Sequence, residues 1–113
     1  MSERSSRLGA NEALFREVNE RVAEVVESFV EVEATINPVN FNCECGNGGC
    51  TDQIEMTLVE YEAVRADPTR FAVRRGHELR ELERIVEEHP NYLIVAKQDP
   101  DAERVAVETD PRS

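Results

Sequence analysis

Apolar residues return along the N-terminal part of the chain at alternating steps of three and four: Phe15, Val18, Val22, Val25, Phe29 and Val32. That spacing marks one face of an α-helix. Glu17, Glu20, Glu24, Glu27 and Glu31 follow the same steps two residues later and make the polar face. Asn11 suits the N-cap and Glu12 the favourable first turn, so a long helix is expected from there. Valine is a mediocre helix former, so such a helix must owe its stability to packing. The apolar row spans fewer than three full heptads, short of what a coiled coil requires. The expectation is therefore a helix docked by this row on the protein's own sheet, in a monomer that Val25→Asp would unfold.

Asn37-Pro38 breaks the helical pattern. After it, "VNFNC" (39–43) and "QIEMT" (53–57) read as two strands of a hairpin. Thr57-x-x-Glu60 is a capping box opening a short helix through Leu58, Tyr61 and Val64, which Asp67-Pro68 ends. "RFAVR" (70–74) is a strand followed by the "RGHE" turn, and "YLIVAK" (92–97) is the most strand-like run of all. Between them, residues 79–89 read as a helical turn leading into a strand. The tail from Gln98 is acidic, carries Pro100 and Pro111, and is expected to fray at an edge. The fold class is α+β: a long N-terminal helix packed on a small antiparallel sheet. Residues 1–10 are expected to be flexible, 11–97 to form a single domain, and 98–113 to be an acidic tail.

Composition narrows the picture. A chain of 113 residues supports one core, and with 33% charged residues and no Trp that core is small. A metal staple would support it. The formal net charge of −11 disfavours nucleic acid and anionic membrane as partners. The basic residues are nevertheless concentrated: Arg65, Arg70, Arg74, Arg75, Arg80 and Arg84 fall in one window. No run approaches the ~18 apolar residues of a membrane span. The opening "MSERSSRLGANEA" lacks the apolar core of a signal peptide. A cytoplasmic protein is expected, and there structural disulfides are rare.

That expectation bears on "FNCECGNGGC" (41–50), which holds all 3 cysteines. An odd number argues against a disulfide framework. Cys43, Cys45 and Cys50 form C-x-C-x4-C around a glycine-rich loop. Glycines there allow positive φ and leave main-chain N–H groups free to face thiolate sulfur. Structural zinc takes four ligands in a tetrahedron. Of the 2 histidines, His77 directly follows Gly76, whereas His89 precedes Pro90 in a charged turn. His77 is the expected fourth ligand, with His89, Asp52 and Glu44 as the alternatives, and Glu78 is a candidate acceptor for its second ring nitrogen. Three unliganded thiols, or a redox pair among them, are the competing readings.

The run "FNCECGNGGC", then "MTLVEYEAVRADPTRF", then "RRGHE" resembles a family of short uncharacterised proteins from actinobacteria and their relatives. "LFREVNERVAE" is similar to that family's opening helix. The resemblance covers about residues 11–97. It differs in Met56-Thr57-Leu58, where Leu-Thr-Leu is expected, and in Arg75, where proline often precedes Gly-His-Glu. It implies one module containing the thiols and His77, and it implies no activity. The expected function is a small zinc-binding, non-enzymatic module that contacts a protein partner. One alternative is a zinc ribbon binding nucleic acid through Arg65–Arg84. A zinc hydrolase or deaminase with Glu78 as acid/base ranks lower, because the H-x-E and P-C-x-x-C signature is missing.

Overall fold

A computed structural model of the chain describes residues 3–27, 38–47, 49–79 and 81–111, with side chains described from Gly9 to Val26 in the first helix. The elements in chain order are α1 (Glu3–Glu27), β1 (Val39–Asn42), β2 (Gln53–Met56), α2 (Leu58–Arg65), β3 (Arg70–Val73), β4 (Glu83–Glu88), β5 (Leu93–Lys97) and α3 (Pro100–Glu108). Among the described residues no helix is long and apolar enough to cross a membrane.

β1 and β2 pair antiparallel from Val39↔Met56 to Asn42↔Gln53, and the pairing runs on through Cys43 N–H to Asp52 O. β3, β5 and β4 form a second antiparallel sheet with β5 in the middle. The central strand is buried along its whole length, which is why "YLIVAK" reads as an unbroken apolar run. Ile94 and Ala72 face one side, where Phe41, Ile54 and Met56 of the hairpin and Leu58, Tyr61 and Val64 of α2 complete a core. Phe41 and Tyr61 stack there at 4.4 Å. Phe71, Val73, Leu93 and Val95 face the other side, against Ala106 of α3 and the thiols of Cys43 and Cys45. The cysteine loop is thus packed on a sheet face.

The Thr57 capping box is present in both its bonds. Just before β4 the Leu82 and Glu83 N–H groups both donate to Leu79 O, as the expected turn into a strand requires, with residue 80 outside the described residues. Three expectations need correcting. The first helix begins at Glu3, well before Asn11, so residues 3–10 are helical. The acidic tail is also a helix: Asp99 caps it by accepting from Ala102 N–H, and Pro100 opens it. An N-cap acid followed by proline is a helix-start signature, which outweighs the acidic composition.

The third correction concerns the face α1 buries. Val18 is 40% exposed and Val25 59%, and Leu14 is exposed beside them. Phe29 and Val32 lie outside the described residues. The face turned inward carries Glu12, Arg16, Asn19, Glu20, Ala23 and Val26. Ala23 and Val26 reach the apolar core, and Val22 of the apolar row, half-buried, packs against it. The physical reason lies in what the polar side chains meet. Arg16 donates to Pro68 O and Ala106 O, both at 2.6 Å, and its guanidinium lies over the Phe71 ring. Asn19 donates to Asn42 O and Glu44 Oε2 and accepts from Asn42 N–H. Glu20 pairs with Arg65 of α2, which also pairs with Asp110. Glu12 meets Lys97, which also binds Glu83 at 2.7 Å. Buried carbonyls and charges need partners, and α1 supplies them.

Candidate metal centre

The centre is built from two turns. β1 delivers Cys43, and Gly46, at φ 77, reverses the loop after Cys45. Asn47 then closes a tight turn, its carbonyl accepting from Cys50 N–H and its side-chain oxygen from Gly49 N–H. On the other side, His77 N–H donates to Arg74 O, with Gly76 at φ 92 in the third position of the turn. A type II turn requires positive φ there, which is the physical reason for Gly-His in this sequence.

These turns bring Cys43, Cys45, Cys50 and His77 together, with their ligand atoms all within 4.8 Å of one another. His77 Nδ1 lies 3.5 Å from Cys43 Sγ and 3.7 Å from Cys50 Sγ. A metal with Zn–S of about 2.3 Å and Zn–N of about 2.0–2.1 Å at tetrahedral angles separates N from S by about 3.6 Å. The donor set therefore fits a four-coordinate metal ion. None of the cysteines is in a disulfide.

The surroundings orient these donors. His77 Nε2 lies 3.3 Å from Asp52 Oδ2, which leaves Nδ1 facing the sulfurs. A carboxylate on the second ring nitrogen is the usual support of a metal-binding histidine. Asp52, weighed from sequence as a ligand, is this supporting group. Glu78, weighed for that role, instead accepts from Gly76 N–H at 2.8 Å and braces the turn. Arg74 N–H donates to Cys43 Sγ at 3.2 Å. The Cys45 thiol is drawn down to about 5, first by a hydrogen bond from Cys43, with further help from Asn47 N–H, His77 and Cys50 against the opposing effect of burial. Cys43, the donor in that bond and itself buried, is pushed up, and Cys50 is raised by burial. The hydrogen bonds converging on Cys45 favour its thiolate, the form that binds metal.

Glu44, between the first two cysteines, is fully buried and does not join the donors. Its carboxylate accepts from Ala72 N–H, Asn19 and the Tyr61 hydroxyl, while its own N–H donates to Ala72 O. Burial raises its pKa against those bonds. It pegs the cysteine loop to α1, α2 and β3 at once. His89 stands elsewhere, stacked on Tyr92 at 4.3 Å with Nε2 on Glu87. Of the arginine window, Arg84 is exposed and Arg80 lies outside the described residues. Arg65 is buried between Glu20 and Asp110, and Arg70, Arg74 and Arg75 pair with Asp67, Asp52 and Glu88. The pegging role of Glu44 had no signal of its own in the sequence, because a glutamate between two cysteines reads as an alternative ligand. Comparison of the chain with known protein families, with curated proteins and with solved structures finds no match.

Proposed function

We propose that the protein is a small zinc-stabilised module in which Cys43, Cys45, Cys50 and His77 hold a structural ion, and that it works by contacting a protein partner rather than by catalysis. The observation that carries this reading is the approach of His77 Nδ1 to two thiols while Asp52 holds Nε2. Three sulfurs and an imidazole suit zinc better than the oxygen-preferring cations. Four protein donors fill a tetrahedron and leave no place for a catalytic water. The bound ion would join the hairpin loop to the β3 turn, and structural zinc contributes roughly 10–16 kcal/mol in small modules. The nucleic-acid reading loses support because Arg65 is buried and its neighbours face carboxylates. The motif resemblance adds no activity.

Cobalt(II) substitution tests the closed site. The spectrum expected is that of a tetrahedral ion held by three sulfurs and one nitrogen, unchanged by added anions. A spectrum that shifts with exchangeable ligands would mean an open position, and the catalytic reading would replace this one.

A further inference from the structure

The first helix turns polar side chains inward, and its solvent side carries part of the periodic apolar row, Val18 and Val25. Val18 and Val25 occupy the fourth position of a heptad with Leu14 alongside. Phe15 and Val22, at the first position, are half-buried at the edge of this face, and Val22 packs against the core. Leu14 is 56% exposed and Val18 40%, while the inward face carries Glu12, Arg16, Asn19 and Glu20. Isolated apolar side chains at a surface need no explanation, but a row of them at helical spacing marks a contact surface.

We infer that this face of α1 pairs with the same face of a second copy of the chain, the two helices antiparallel. The charges beside the row select the occupant and the direction. Glu17 and Arg21 stand exposed on one flank, 3.9 Å apart within the helix. An antiparallel pair brings like flanks together, and a two-fold axis at the level of Asn19 and Glu20 sets Leu14 against Val25 of the second copy. The same register places Val18 beside the stem of Arg21 of the second copy, and brings each Arg21 next to the opposite Glu17. The surface is thus self-complementary, as a two-fold interface requires. A parallel pair would set Arg21 against the flank of Asn19 and Val26, where no carboxylate stands exposed. The inference is independent of the metal: the buried side of α1 holds the cysteine loop through Asn11 and Asn19, and the pairing side does not touch it.

Sedimentation of the full chain over a range of concentrations tests this, with circular dichroism and metal content recorded on every sample. A reversible dimer is expected. Leu14→Asp and Val18→Asp should each raise its dissociation constant by at least about tenfold while leaving a folded protein with unchanged metal content. Glu17→Arg and Arg21→Glu should each weaken the dimer, and the double exchange should restore it. A wild-type monomer at every concentration overturns the proposal. So does a dimer indifferent to Val18→Asp, or one that the double exchange fails to restore.

Discussion

The hairpin and the first helix obey opposite rules. In β2 the side chains alternate as the pleat demands, Ile54 and Met56 buried and Gln53 and Glu55 exposed. Here polarity alone tells which side is inside. In α1 the charged and amide side chains face inward and Val18 and Val25 face water. The strand has only a core to find. The helix runs past loop carbonyls, the cysteine loop and two further helices, and each of these asks for a hydrogen-bond or charge partner. Periodicity reports that a helix has a distinct apolar side. It does not report whether that side meets the chain's own core or another molecule.

The sharpest way to break this comparison is Arg16→Ala. It removes the donors to Pro68 O and Ala106 O in a buried site, and should cost about 3 kcal/mol in denaturant unfolding. A loss no larger than that of a surface mutation would mean that the polar face is incidental.

The pH dependence tests the same face through Glu12. Burial pushes its carboxyl from 4.5 up to about 7 against the pull of Lys97. The folded state then binds the proton more tightly than the unfolded state. Its contribution is fully present below pH 4.5 and is lost as pH rises to about 7. The fall is at most about 3 kcal/mol, at 1.36 kcal/mol per pH unit. Glu12→Gln should flatten that part of the stability profile, and an unaltered profile would remove Glu12 from the account.

Smaller still is Gly76→Ala. Nothing crowds the position, but its φ of 92 is costly for any side chain. A loss of about 1–2 kcal/mol is expected, with weakened metal binding because the turn aims His77. Least of all, Val18→Asp should change stability of the folded chain by no more than about 0.5 kcal/mol. The same is expected of Val25→Asp, which the sequence pattern alone marks as destructive.

What was legible follows from this contrast. The hairpin, the capping box, "RFAVR" and "YLIVAK" could be read because each is a local rule acting on adjacent residues. The gathering of Cys43, Cys45, Cys50 and His77 could be read because thiols in a glycine loop and a Gly-His turn have few other uses. Asp52 takes the role weighed for Glu78 because the sequence shows neighbours along the chain, whereas His77 Nε2 finds its acceptor across the loop. The length of α1 is hidden by the polar composition of residues 3–10, and α3 has only Asp99-Pro100 as its local signal. The buried polar face of α1 was beyond reach, since Arg16, Asn19 and Glu20 are satisfied only by groups far away in sequence.

The central claim is that the four gathered donors hold one metal ion. Mass-spectrometric metal analysis of protein purified without added zinc, alongside the His77→Ala and His89→Ala variants, tests it most directly. One zinc per chain is predicted in the wild type and in His89→Ala, with loss in His77→Ala and unfolding of the wild type by chelator. Metal-free wild-type protein, with three thiols that react at once and a melting temperature that chelator leaves unmoved, would contradict it.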